Sequence, residues 1–326
     1  MGYNEGAYFM SDGVRPLGRS GILVHPLAFG GNVFGWTADE TMSFRLLDEF
    51  VDGGFNLIDT ADVYSNWYPG NVGGESETII GNWMKLRKNR DKVVIATKVG
   101  HQMSETEKGL KKAYILEAVE RSLRRLRTDY IDLYQTHKDD PETPVEETLE
   151  SYDQLVKAGK VRVIGASNLS RERMEESLKA SQSLSVPRYE SVQPRYNLYD
   201  RSDFEGELQA YCVEHQLAVI PYFSLASGFL TGKYSSEDDL ATSSRQARIK
   251  FYLNERGYRI VDALRKVAQE ISGSPSQVAI AWLRSRPGIT APIASATNSA
   301  QLKDLLAGAR LHLAPEQITF LTTASD

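Results

Sequence analysis

The stretch Gly54-Phe55-Asn56-Leu57-Ile58-Asp59-Thr60-Ala61-Asp62-Val63-Tyr64 decides how the chain is read. Residues 55–58 form a short apolar run of strand type. Where it ends, with the backbone about to leave the core, stand an acid, Asp59, and five residues on a phenol, Tyr64. Tyr64 reads as a proton donor and Asp59 as part of the machinery that tunes it. A plainer reading has Asp59 capping the next turn and Tyr64 as a half-buried loop aromatic. What separates the two is whether later strand ends carry matching chemistry.

Outward from that stretch one pattern repeats. Residues 15–27 hold two short apolar pieces around Gly18, Arg19, Ser20 and Gly21, the composition of a hairpin ahead of the main fold. A strand at 27–31 and a helix at 42–51, with Phe44, Leu47 and Val51 on one face, precede the strand at 55–59. A loop with Gly70, Gly73 and Gly74 leads to a helix at 75–86 and a strand at 93–98. Helical faces marked by Ile115, Val119, Leu123 and Leu126, and by Leu149, Tyr152 and Val156, precede strands at 131–137 and 161–167. A helix at 174–184, a strand at 189–193, a helix at 205–214 and a strand at 218–222 follow. The polar segment 228–257, with Gly232, Ser235, Ser236, Asp238, Asp239, Ser243 and Ser244, reads as a large surface loop. A helix with Ile260, Leu264, Val267 and Ile271 and another at 275–284 come before an eighth strand at 289–293, and helices at 300–306 and from Pro315 end the chain.

Eight strand-helix units with apolar, mostly non-alternating strands predict an α/β fold with a parallel sheet buried on both faces, and eight is the number that closes a (β/α)8 TIM barrel. All of 1–326 is then one domain, since single barrels routinely exceed about 250 residues. A doubly wound sheet binding a dinucleotide would need GxGxxG after the first strand, where this chain reads Gly30-Gly31-Asn32-Val33-Phe34-Gly35-Trp36. Walker A, HExxH and GxSxG sequences are absent, which leaves phosphate-loop, zincin and serine-hydrolase readings without a motif.

Composition agrees with a folded enzyme-sized core: 41% hydrophobic and 25% charged residues. With 38 Lys and Arg against 43 Asp and Glu, the net charge of -5 offers no attraction to nucleic acid or an anionic membrane. Arg121, Arg124, Arg125 and Arg127 read as a helix surface, with Glu117 and Glu120 four residues before Arg121 and Arg124. Cys212 is the single cysteine, so neither an internal disulfide nor a CxxC metal site is possible. No apolar run approaches the ~18 residues of a membrane span, and positions 1–10 lack a basic and an apolar leader region, so a cytoplasmic location is expected. The sequon Asn168-Leu169-Ser170 carries no weight in that compartment.

In a barrel the C-terminal strand ends share one mouth. Here they carry Asp59, Lys98, His137, Ser167 with Asn168, Gln193 and Tyr222. Each has a dull alternative, such as a strand-end lysine reaching solvent or a hydrogen-bonded loop histidine, but six consecutive strands ending in polar groups aimed at one space are harder to dismiss. With these residues the chain resembles the aldo-keto reductases, in the branch that includes potassium-channel beta subunits. The resemblance runs from the hairpin near Leu17 to the final helix. It rests on 54–64, 93–99 (Val-Val-Ile-Ala-Thr-Lys-Val), 129–137 (Asp-Tyr-Ile-Asp-Leu-Tyr-Gln-Thr-His), Glu147-Thr148-Leu149 through Gly159-Lys160-Val161-Arg162 to Gly165-Ala166-Ser167-Asn168, Gln193, and Gly228 with Gly232-Lys233-Tyr234.

The resemblance implies a catalytic tetrad of Asp59, Tyr64, Lys98 and His137. The chemistry is consistent with it: hydride delivered to a carbonyl carbon leaves an oxygen that needs a proton. A free tyrosine titrates near about 10, so work near neutrality calls for lowering it by ~2 to 3 units, which an adjacent ammonium favours. Lys98 would supply that charge, Asp59 would hold Lys98 charged and aimed, and His137 would orient the carbonyl. The resemblance further implies that Ser167, Asn168 and Gln193 hold a nicotinamide carboxamide, Tyr222 stacks on its ring, and Gly31 and Asn32 meet the cofactor from the first loop. Phe223, Ser224, Leu225 and Ser227 would pass the pyrophosphate, with Phe223 where the family often has Ser and Ser224 where it often has Pro.

Many members place Lys and Arg where the eighth strand meets its helix, to hold a 2'-phosphate. Here Ser295 and Gln301 occupy those positions. The channel-subunit branch holds NADP with a comparable Ser and Gln, matched by Thr297 and Gln301, and has basic residues matching Lys233 and Arg245; Asp304 would meet the adenine. NADP is therefore expected, with NAD left open. The expected activity is reduction of an aldehyde or ketone, or the reverse, without metal. The alternative is an NADP(H)-binding redox-sensing module with slow turnover. A hydrolase using Asp59 and Asp62 would leave Lys98 and Gln193 without a task. The substrate wall is read as Val33, Trp36, Trp67 and Tyr68 beside Tyr64 and His137, which suits sugars, aryl carbonyls and terpenoid ketones alike.

Overall fold

The computed structural model describes residues 13–240 and 245–326; the leader positions and Ser243 and Ser244 of the long loop lie outside them. The opening turn is the expected hairpin, with β1 (Arg15–Pro16) antiparallel to β2 (Leu23–Val24). Eight strands then follow, separated by helices: β3 (Ala28–Gly30), α1 (Glu40–Asp52), β4 (Leu57–Asp59), α2 (Glu75–Arg87), β5 (Val94–Val99), α3 (Lys112–Leu126), β6 (Ile131–Thr136) and α4 (Val145–Lys157). The series continues through β7 (Val161–Ser167), α5 (Arg171–Leu184), β8 (Tyr189–Gln193), α6 (Glu207–Glu214) and β9 (Ala218–Val219). It ends with α7 (Gln246–Lys250), α8 (Glu255–Glu270), α9 (Pro275–Ser285), β10 (Ile293–Ala294), α10 (Ser299–Gly308) and α11 (Pro315–Ala324).

The eight strands form one parallel sheet in the order β10-β3-β4-β5-β6-β7-β8-β9. A parallel bridge between Val219 and Ile289 joins its two edges, and the result is a (β/α)8 barrel. The segment read as the eighth strand, 289–293, is divided: Thr290 N–H donates to the Val219 carbonyl at 2.8 Å, whereas only Ile293–Ala294 pairs as a strand with β3. Pro292 has no N–H, so a continuous ladder through that point is impossible. Pro221 likewise has no N–H to offer the 289–293 segment, and β9 ends at Val219, short of the expected 222, although Ile220 and Tyr222 N–H still reach the Val192 and Pro194 carbonyls at 3.0 and 2.9 Å. The long loop is not structureless either: it holds the short helix α7, and Asn254, whose side chain accepts from Gly257 N–H at 3.0 Å, starts α8 ahead of the expected apolar face.

Strand residues alternate between two buried environments, which is why the strands do not alternate in polarity. Leu57, Ala96, Leu133 and Val163 fill the barrel interior, plugged at its lower end by Leu17 and Val24 of the hairpin region. Ile58, Ile95, Tyr134 and Ile164 face the helices. The same parity decides the site. Two residues beyond Leu57 is Asp59, beyond Ala96 is Lys98, and beyond Leu133 is Gln135, so all three belong to the interior row at the upper rim.

Surface charge departs in part from its expected pairing. Arg121 meets Glu117 at 3.4 Å, but Glu120 is taken by Lys160, and Arg125 turns inward to the fully buried Glu77 at 2.6 Å. That inward turn depends on close contact between α2 and α3. A Cβ added at Gly81 would lie 2.1 Å from the Arg125 carbonyl oxygen. Helix propensity favours alanine there by about 1 kcal/mol, yet overpacking costs about 1–3 kcal/mol and has no flexible side chain to push aside. Gly81→Ala is expected to lower the melting temperature, and an unchanged or higher value in a thermal melt would show that the contact is not tight. Among the described residues no helix is long and apolar enough to cross a membrane.

Candidate active site

At the upper rim, strand parity and register bring a carboxylate, an ammonium and a phenol into one contact. Lys98 Nζ, on β5, donates to Asp59 Oδ2 at 2.6 Å, to the Tyr64 hydroxyl at 2.9 Å and to the Thr60 carbonyl at 2.8 Å. Tyr64 OH donates to Asp59 Oδ2 at 3.3 Å. Asp59 Oδ1 accepts from Gln193 Nε2 at 2.8 Å and from Gln135 Nε2 at 3.4 Å. Lys98 and Asp59 are sealed from solvent, at 0% and 1% exposure, so this is a fully dressed buried ion pair. The Tyr64 ring meets His137 edge-on at 5.9 Å and Trp67 at 6.1 Å.

Burial, and next the Asp59 charge, push the Tyr64 phenol well above its ordinary value. The sequence reading has Lys98 lowering it; desolvation and Asp59 win instead, because Asp59 already holds the ammonium. Burial pulls Lys98 down, opposed by Asp59. Burial, assisted by Lys98 and His101, also holds His137 far below the usual imidazole range. Its ring is therefore neutral at pH 7, and its buried Nδ1 has no partner among the described residues.

These groups open onto a cleft of about 1120 Å³. Asp59, Tyr64, His137, Ser167, Asn168, Gln193 and Tyr222 line its floor. Tyr222 OH donates to Asn168 Oδ1 at 2.8 Å, and Asn168 Nδ2 donates to the His137 carbonyl at 3.0 Å. Phe223, Ser224, Leu225 and Ser227 line the adjoining wall, although Ser224 Oγ is already committed to the Ile293 carbonyl at 2.7 Å. Ala226, Ser227 and Gly228 have φ of 47°, 59° and 100°, a left-handed run that costs non-glycine residues about 1–3 kcal/mol each and persists only where the surroundings impose it. Asn32, Ser295, Thr297 and Gln301 line the far end as two tied pairs: Ser295 Oγ donates to Asn32 Oδ1 at 2.6 Å, and Thr297 N–H to Gln301 Oε1 at 2.9 Å. Lys233, Arg245 and Arg248 add positive charge, while Asp304, also on the lining, accepts from Ser274 Oγ at 2.8 Å and Gln277 Nε2 at 2.7 Å.

Five residues expected at the cleft do not line it. Gly31 lies behind it, packed on Ser76, and Val33 is fully buried in the strand-helix core. Trp36 stands edge-on behind Trp67 at 5.7 Å, under Arg245, and Tyr68 is 46% exposed outside the cleft. Lys98 is reached only through Asp59 and Tyr64. Arg248 on the cleft wall, Gln135 and His101 escaped the sequence reading. Gln135 ties Asp59 to Gln193, and its signal was a polar residue at an interior position of an apolar strand. His101 lines the cleft with its ring 5.2 Å from that of His137; it follows β5 in a loop whose course no sequence pattern reveals.

The model of the aldo/keto reductase family matches residues 26–326, so the chain belongs to that family of oxidoreductases, and the closed barrel with a buried lysine-carboxylate-tyrosine contact under a long, partly basic cleft is in keeping with it. Among individual proteins, the chain is similar to the aldo-keto reductase YhdN of Bacillus subtilis (strain 168), 36% identical over 85% of this chain and 81% of that protein. A probable voltage-gated potassium channel subunit beta of Oryza sativa subsp. japonica is 34% identical over 88% of each chain. Protein tas of Escherichia coli (strain K12) is 30% identical over 91% of this chain and 93% of that protein.

Proposed function

We propose that the protein is an NADP-preferring oxidoreductase that interconverts an aldehyde or ketone and the corresponding alcohol, with Asp59, Tyr64, Lys98 and His137 as the reacting set. The observation that carries this reading is the Lys98 ammonium held 2.6 Å from Asp59 and 2.9 Å from the Tyr64 hydroxyl at the floor of the cleft. The nicotinamide cofactor, when bound, supplies the hydride that adds to the carbonyl carbon. The carbonyl oxygen then takes the Tyr64 proton. A phenol pushed up by burial keeps that proton until a more basic oxygen develops beside it, and Lys98 stabilises the phenolate left behind. Neutral His137 can hydrogen-bond the carbonyl oxygen and orient it without giving up a proton of its own. In the reverse direction Tyr64 accepts the proton of the alcohol.

The residues present fit a dinucleotide phosphate. Ser167, Asn168 and Tyr222 would meet the nicotinamide end, the left-handed run at 226–228 would offer backbone to the pyrophosphate, and Lys233, Arg245 and Arg248 would favour an additional phosphate. The buried Cys212 thiol suits a reducing cytoplasm. NADPH is expected to bind at least about ten-fold more tightly than NADH, with Lys233→Ala narrowing the gap, as read by nicotinamide fluorescence titration. Equal affinities would reject the NADP preference. Stopped-flow oxidation of bound NADPH by a panel of carbonyl compounds tests the reaction itself; a bound cofactor that none of them oxidises would reject catalysis.

A further inference from the structure

Asp62 is a carboxyl for which the reaction above has no use. It lies three residues beyond Asp59 on the loop leaving β4, is 3% exposed, and neither of its oxygens has a side-chain hydrogen-bond partner among the described residues. Such a site penalises an ionised carboxylate heavily unless a cation answers it. The neighbouring cations are already taken. Lys98 is paired with Asp59 at 2.6 Å. Arg125 is paired through Nε with Glu77 at 2.6 Å, and the other Glu77 oxygen accepts from the Thr97 hydroxyl, also at 2.6 Å. Two cations therefore face three carboxyls behind the cleft, each cation matched to one, and Asp62 is the carboxyl left over.

Groups on every packed element share its field. Glu77 from α2, Arg125 from α3 and Lys98 from β5 act on Asp62 directly. Tyr64 on its own loop, Tyr114 from α3, Tyr134 from β6 and Tyr152 from α4 would all feel its charge. The Tyr114 and Tyr134 hydroxyls also lack partners among the described residues.

We propose that Asp62 is a positioning residue that works protonated: neutral, it leaves Lys98 with Asp59 as its one counter-ion, and its ionisation in alkaline solution slows carbonyl reduction. Burial, then repulsion from Glu77, push this carboxyl up to about 8 against the pull of Arg125, the Val63 backbone N–H and Lys98. Once ionised it adds negative charge beside Tyr64, and the phenol holds its proton more tightly. This rests on Tyr64 being the proton donor, so the test has one arm that needs turnover and two that do not.

The first arm is the single-turnover rate of NADPH oxidation by a carbonyl compound from pH 6 to 10, in wild type and in Asp62→Asn. The ratio of variant to wild-type rate is expected to rise between pH 7 and pH 9, by about ten-fold if the ionised form does not turn over and by less if it is only slowed, with its midpoint near 8. Coincident pH profiles would overturn the proposal. The second arm is infrared spectroscopy of the wild-type protein, which should show a protonated-carboxyl C=O stretch at pH 7 that fades as the pH passes 8 and is missing in Asp62→Asn. Its absence from wild type overturns the proposal whatever the activity. A band that titrates in an enzyme reducing no carbonyl would keep the neutral carboxyl and reject the carbonyl-reductase reading.

Stability provides the third arm. A carboxyl raised on folding contributes stability that is fully present below its unfolded value and lost as pH rises through its folded one. Asp62→Asn cannot ionise, so its melting temperature relative to wild type should climb from pH 5 to pH 8.5; a constant difference counts against the proposal. Should the variant not fold, the infrared titration of wild type still decides the matter.

Discussion

Tyr64→Phe is expected to cut turnover by about 10²–10⁴-fold while leaving cofactor affinity within about two-fold, the loss that follows removal of a positioned general acid. The prediction rests on how little else the hydroxyl does. It accepts from Lys98 Nζ at 2.9 Å and donates to Asp59 Oδ2 at 3.3 Å, and Asp59 retains Lys98 and Gln193 without it. The ring contacts with Trp67 and His137 are made by carbon and survive in phenylalanine. The measurements are kcat and KM on any carbonyl that turns over, with NADPH affinity determined separately. A variant within about three-fold of wild type in kcat would remove Tyr64 from the chemistry, whatever the contact distances.

Lys98→Met should damage both function and folding. Methionine nearly fills the volume, but the change strands the Asp59 carboxylate at 1% exposure with amide and hydroxyl donors and no cation. Breaking one side of a buried ion pair costs about 3–5 kcal/mol, a large share of the 5–15 kcal/mol typical of a folded domain. Urea denaturation should show that loss. Because the penalty comes from the stranded charge, Asp59→Asn combined with Lys98→Met should recover much of the stability and none of the turnover. If the double variant proves as unstable as the single one, the lysine matters for its packing, and the ion pair at the floor of the cleft is not the feature that holds this region.

The fold was legible because its signal is local and repeated. Apolar runs of five to seven residues alternating with helical faces mark strands buried on both sides, and eight repeats close a barrel. Two strands end or divide where proline removes a ladder donor, at Pro221 and Pro292, a loss visible only once the pairing partner is known. The choice of Asp59, Lys98, Gln193 and His137 came from polar residues at strand ends, where a barrel gathers its loops. Gln135 carries the same signal two positions before His137, inside its strand, where a polar residue does not announce a strand end. Trp36, Val33 and Tyr68 lie in loops, where sequence proximity to the rim does not fix which way a side chain faces.

By itself the sequence determined the barrel, the order of its strands and the residue types brought to one rim, because periodicity and strand parity are properties of the chain alone. Only the tertiary structure decided which charges meet which. Packing α3 on α2 gives Arg125 to Glu77, the β4–β5 register gives Lys98 to Asp59, and Asp62 is left without a cation. The direction of the Tyr64 shift was likewise invisible in the chain, since burial and the distance to each charge set it, and both arise only when segments far apart in sequence close on one another.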